Sequence, residues 1–186
     1  SYQAIKSNLN TKIKWVLDPA HSNVDFSVKH MMISKVKGMF REFDAKIEAD
    51  PNDLTTANVE FTVDLASIDT RNGDRDAHLK SADFFDVENH PKMIFKATKI
   101  VKTDDDEYDV TGELTIRGVT RQDFEVEVAG ISKNPMSGVE TVGIEVKGKI
   151  NRKDYGLVWN APLETGGVLV GEEVKISLEL EATKSE

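Results

Sequence analysis

The chain of 186 residues contains no cysteine. That absence removes disulfide bridges, thiolate nucleophiles, zinc–cysteine sites and iron–sulfur clusters together, and leaves the redox compartment undecided. No apolar run approaches the ~18 residues that a membrane-spanning helix requires, so no transmembrane segment is expected. The opening "SYQAIKSNLNTKIKW" has lysines but lacks the apolar centre of a secretory signal. The chain as given therefore reads as cytoplasmic. Because it starts at Ser1, prior removal of an export signal would make it periplasmic or secreted instead. An excess of basic residues is lacking too: 24 Lys and Arg stand against 33 Asp and Glu, a net charge of −9. A surface that repels phosphate argues against nucleic acid as a partner. There is no H-E-x-x-H pair, no G-x-S-x-G elbow and no internal repeat of roughly 20–50 residues.

What the chain does have is alternation. "SNVDFSVKH" sets Val24, Phe26 and Val28 on one face and Asp25, Ser27 and Lys29 on the other. The same period of two places Phe43, Ala45, Ile47 and Ala49 together, then Val59, Phe61, Val63 and Leu65. It returns in "YDVTGELTI", "DFEVEV", "TVGIEVKGKI" and "EVKISLELEA". Such runs make strands with one buried and one wet face, as antiparallel sheets need. Turn signals separate them: "DPND" at 50–53, "TDDDE" at 103–107, "IRGVTRQ" at 116–122 and "NPMSG" at 134–138. A meander of this length leaves two bare edges unless it closes, so a barrel or a strongly curled sandwich is expected. Gly112, Gly143 and Gly148 fall inside strands, where glycine marks a bulge, a bend or a close approach.

Residues 66–91 break the pattern. "NGDRDAHLK" reads as a short helix with Asp74 and Asp76 near its positive end and Asp76–Lys80 as an i,i+4 pair. Arg71, Arg75 and His78 share one face at helical spacing. A chemically dense insertion in an economical sheet is where function is usually carried.

Six motifs in order resemble the YceI family of polyisoprenoid-binding, lipocalin-like proteins: "DPAHSNVDFSVKH", "KVKGMF", "NGDRDAHLKSADFFDVENHPKMIF", "GELTIRGVT", "INRKDYGL" and "VGEEVKI". The resemblance implies an all-β fold, an eight-stranded antiparallel lipocalin-like barrel with a short helix in the 66–91 insertion. It also implies a long isoprenoid or other long-chain lipid as bound ligand, no other cofactor, and a homodimer. The chain divides into an N-terminal arm over 1–12 and the barrel over 13–184.

The candidate site has two parts. A polar mouth is expected from Arg75, His78, His30 and Arg71, because an arginine fork gives directed hydrogen bonds to a hydroxyl, carbonyl or phosphate headgroup. The competing reading ties Arg75 and Asp76 to strand residues such as Asp154 or Arg152 and makes the helix a tethered lid. The chain-lining candidates are Phe26, Val28, Met31, Met32, Met39, Phe43, Phe61, Phe84, Phe85, Phe95, Leu114, Ile144 and Trp159. Methionine adapts to irregular apolar shapes, so "HMMISKVKGMF" suits a pocket end, with a dimer contact as the alternative. No histidine pair has metal-site spacing and no residue is assigned a catalytic role. Binding of an apolar lipid, polyisoprenoid or quinone-like, is the expectation. The rivals are an enzyme acting on such a substrate and an interaction protein with a filled barrel.

Overall fold

The computed structural model describes residues 12–134, 140–161 and 169–185. Nearly all of the arm expected over 1–12, and the 134–138 turn beyond Asn134, lie outside the described residues. The strands are β1 (Ile13–Leu17), β2 (Asn23–His30), β3 (Ser34–Phe40), β4 (Phe43–Asp50), β5 (Asp53–Asp64) and β6 (Ile68–Asp69). After helix α1 (Gly73–Lys80) come β7 (Lys92–Asp104), β8 (Glu107–Ile116), β9 (Val119–Asn134), β10 (Thr141–Asn151) and β11 (Val170–Lys184).

Every strand pairing is antiparallel. The order β1-β4-β5-β7-β8-β9-β10-β11 returns to β1, so eight strands close a ring and neither end of the meander stays bare. Two strands share the edge of β11. β1 takes its last residues (Trp15↔Lys184 to Leu17↔Ala182), and β2 takes the rest (Asn23↔Glu179 to His30↔Val170). β3 pairs with β2, and the two-residue β6 pairs with the end of β3.

Up-and-down connection sorts the turns into two ends. The β2–β3 turn, the β5–β7 segment carrying α1, the β8–β9 turn and the β10–β11 connection share one end. The β4–β5, β7–β8 and β9–β10 connections share the other, hairpin end.

The alternation predicted from sequence sets the core. Val24, Phe61, Val63, Val110, Leu114, Val126, Ile150 and Leu180 are all buried. At the helix end the interior is filled: Leu65 is wholly buried and Ile116 is 2% exposed. Leu79 and Phe85 pack on both apolar clusters there. Gly112 permits a close crossing on the wall. A methyl group at that position would lie 2.3 Å from the Lys96 carbonyl oxygen and 2.7 Å from the Phe95 ring.

The seam where β1 passes into β2 is tied by polar contacts. The Asp18 amide donates to the Glu181 carbonyl at 2.8 Å. His21 Nδ1 lies 2.7 Å from Asp18 Oδ2 and 3.4 Å from Glu181 Oε2. The hydrogen bond to Asp18, then the charges of both carboxylates, raise the His21 pKa above its ordinary value, and the same bond lowers that of Asp18.

Two expectations follow. Gly112→Ala should lower thermal stability with secondary structure retained, because the methyl meets backbone that cannot swing away. A raised histidine pKa stabilises the fold fully below the unfolded value, and the gain fades as pH rises through the folded one. The melting temperature of the wild-type protein should therefore fall from pH about 6 to about 8. His21→Gln should flatten that slope, and an unchanged slope would count against the seam pairing.

Candidate functional site

The ring encloses a cavity of about 290 Å³. Five of the chain-lining candidates face it: Phe26, Phe61, Phe95, Leu114 and Ile144. They come from β2, β5, β7, β8 and β10, so inward positions around most of the ring contribute. The other eight lie elsewhere. Val28 is further along β2 toward the helix end, opposite Val36 and Val174. Phe43 stacks on Phe61 with ring centres 5.9 Å apart. Phe85 sets its edge against Phe40 at 6.1 Å, and Phe84 is buried against Trp159 at 5.4 Å. Met39 lines a groove on the outer face of the wall. Met31 and Met32 stand exposed on the β2–β3 turn.

The cavity opens away from the helix. Among its lining residues, Pro51, Asp106 and Lys133 belong to the hairpin end, and Asp106 and Lys133 are exposed. At the other end Phe40, Met93 and Ile150 cap it beneath the filled layer. Lys133 reaches the interior through a bulge. Phe124, Val126 and Val128 face in at even positions, whereas Ile131 and Lys133 face in at odd ones. The β9–β10 register slips between the Gly143↔Ser132 and Glu145↔Ala129 pairs. Gly130, at φ +61°, supplies the left-handed residue that such a bulge uses. Asp25 also borders the cavity at the edge of the wall, where burial raises its carboxyl pKa.

The predicted polar mouth is not at this opening. Arg75 Nε donates to Thr70 Oγ1 at 2.8 Å and its Nη2 to the Thr70 carbonyl at 2.7 Å. Asp76 accepts from the Thr70 amide at 3.0 Å and from its hydroxyl. Thr70 is only 3% exposed. Both side chains thus hold α1 to the strand end before it. This is the tethering geometry, with Thr70 in place of the expected Asp154 or Arg152, and Asp76 is directed to Thr70 rather than to Lys80. His78 Nε2 meets Asp83 at 2.9 Å, and its ring stands edge-on to Trp159 and Phe84 at 4.7 and 5.1 Å. Arg71 lines the outer groove, and His30 ends β2 at the helix end. Arg75 and Asp76 fasten the plug, since buried polar atoms such as those of Thr70 must find partners.

Arg152 is the group whose role the sequence hid. It is 3% exposed and donates to the carbonyls of Gly171 (2.8 Å), Leu157 (2.6 Å), Trp159 (2.9 Å) and Val170 (3.2 Å). Burial lowers its pKa, the Glu172 charge opposing. One guanidinium thereby ties the start of the long β10–β11 connection to the first residues of β11 at the helix end. Its position between buried Ile150 and Tyr155 was the available signal. Asp18, His21 and Glu181 are the one trio of metal-capable side chains close together among the described residues, and they bond one another on the surface.

Several solved proteins share this fold. The YceI-like domain profile matches residues 15–182 of this chain. The chain belongs to the YceI-like family. Within it, a UPF0312 protein of Staphylococcus epidermidis is 46% identical over 169 residues, 90% of this chain and 96% of that protein. BcnA of Burkholderia cenocepacia superposes with a TM-score of 0.78 at 26% identity, covering 89% of this chain and 98% of that one. A polyisoprenoid binding domain from Saccharophagus degradans, implicated in plant cell wall breakdown, has a TM-score of 0.67 over 93% of this chain and 99% of that one. At 14% identity it shows the fold alone. In this YceI-like chain no helix among the described residues is long and apolar enough to cross a membrane.

Arg152→Lys keeps the charge but loses the fork that reaches four carbonyls. Stability should drop by roughly 2–4 kcal/mol in denaturant unfolding, the cost of leaving buried acceptors unpaired. A loss below that range would mean that water satisfies those carbonyls instead.

Proposed function

We propose that the protein binds a long-chain apolar lipid, a polyisoprenoid or isoprenoid-quinone-like molecule, inside the barrel, as a carrier or sequestering protein rather than an enzyme. The observation that carries this is the apolar cavity open at the hairpin end. Among the described residues its charged lining groups are Asp25, Asp106 and Lys133. The existence of that space is what separates this reading from a filled barrel serving only as an interaction scaffold. A chain laid against such walls gains roughly 25 cal/mol for each Å² of apolar surface withdrawn from water, so affinity needs no covalent chemistry. That the Saccharophagus degradans neighbour is a polyisoprenoid binding domain is consistent with this choice of ligand.

This reading carries an orientation. The apolar end enters first and stops at the layer of Phe40, Met93 and Ile150. The headgroup stays at the hairpin end beside Lys133 and Asp106, where water can reach its polar atoms.

Size narrows the ligand further. The 290 Å³ of the cavity is about twice the ~150 Å³ engineered cavity that takes up benzene. The lumen then holds roughly a dozen carbons, about two or three isoprene units, and a longer chain extends out through the mouth.

Native mass spectrometry of the purified protein, followed by organic extraction, should show a bound mass in the lipid range. Titration with isoprenoid alcohols should give affinity that climbs with chain length until about three units and then levels off. Val146→Trp, which places a large ring in the lumen, should abolish uptake with the fold retained. A protein that stays empty and resists loading would overturn the proposal.

A further inference from the structure

The β2–β3 turn is built against the usual preferences of turns. Met31 and Met32 both have positive φ, 54° and 62°. The β8–β9 turn also has two such residues, Arg117 at φ 52° and Gly118 at 74°, but gives the second to glycine, and the β7–β8 turn has one, Asp106. Two adjacent left-handed positions normally select Asn-Gly, because a bulky side chain there is strained. The strained residues are also bare. Met31 is 47% exposed, Met32 54% and the adjacent Ile33 89%.

The surface behind this tip is basic in a chain whose net charge is −9. Lys29 and Lys35 face each other directly across β2 and β3, a like-charge pairing that weakens a sheet. Lys37 and Lys175 follow on the same outer face, both aligned with Ser27. With Arg41 and Arg71 they line an outer groove of about 540 Å³. Asp69 is bonded by Arg41, leaving Asp25 as the other acid on the groove. Among the described residues none of Lys29, Lys35, Lys37 and Lys175 forms an ion pair.

From strain, exposure and charge together we infer that the β2–β3 tip is a docking surface for an anionic lipid bilayer. Met31, Met32 and Ile33 enter the headgroup–acyl boundary, and the lysines behind them rest on negative headgroups. Apolar insertion and electrostatic attraction act jointly, as they do in other peripheral anchors. The tip lies at the helix end, so a docked molecule turns its cavity mouth away from the bilayer surface. The inference stands apart from what fills the cavity.

Co-sedimentation with phosphatidylcholine vesicles and with equimolar phosphatidylcholine–phosphatidylglycerol vesicles tests it. The full chain should bind the second kind only, and added salt should release it. Each lysine removed in Lys29→Gln/Lys35→Gln should weaken partitioning about fivefold. Met31→Asn/Met32→Gly should lose binding while its melting temperature rises by about 4 °C, because the turn strain is gone. That opposite movement separates loss of a surface from loss of a fold. No binding to either vesicle, or binding unchanged in both variants, overturns the inference. So does concentration-dependent self-association that the methionine double variant abolishes, which would make the tip a contact between two copies.

Discussion

The hydrogen bonds that join β11 to both β1 and β2 govern everything else in this molecule. Without them the eight-stranded meander is an open sheet with two bare edges and an apolar face in water. With them the apolar face becomes a lumen, and its width is set by strand number. Eight strands leave an interior that side chains can just fill, or that can hold one slender guest. Here both occur along the axis: filled at the helix end, open at the hairpin end. The seam is also where polar chemistry concentrates, with Asp18, His21, Ser22 and Glu181 bridging the point at which one strand hands over to the next.

The 66–91 segment shows how clustered charged side chains can fasten a fold. Its arginine, aspartate and histidine look like reactive groups because they are close together. Arg75 and Asp76 converge because Thr70 is buried beneath them and needs partners, while His78 pairs with Asp83. Arg152 repeats the principle on the β10–β11 connection. In both places a long connection folds over an apolar plug, and one or two polar side chains collect the main-chain groups that regular pairing leaves free.

The barrel was legible because period-two alternation is a direct consequence of the pleat. The short helix was legible because Asp74 and Asp76 stand in its first turn, and in space Asn72 caps it. The cavity was half legible: five inward residues follow the alternation, while Phe84, Phe85 and Trp159 come from connections where no period operates. The position of the mouth was not readable. Chemical density drew attention to the helix end, whereas an opening depends on which end is plugged, a property of three-dimensional packing. The Met31–Met32 segment was recognised as apolar, but its exposure depends on turn angles that composition does not encode.

The bulge at Gly130 has a consequence for how such a barrel diversifies. Beyond it, the inner and outer faces of β9 have changed places, so a cation stands where an aliphatic group would continue the pattern. Losing one residue of the bulge would restore plain alternation, with Ile131 and Lys133 still turned to the lumen and Ser132 still outward opposite Gly143. The charged threshold therefore survives loss of the bulge. It depends on the side chain at 133 itself, so a point substitution there would change the threshold and leave every strand and the bore in place.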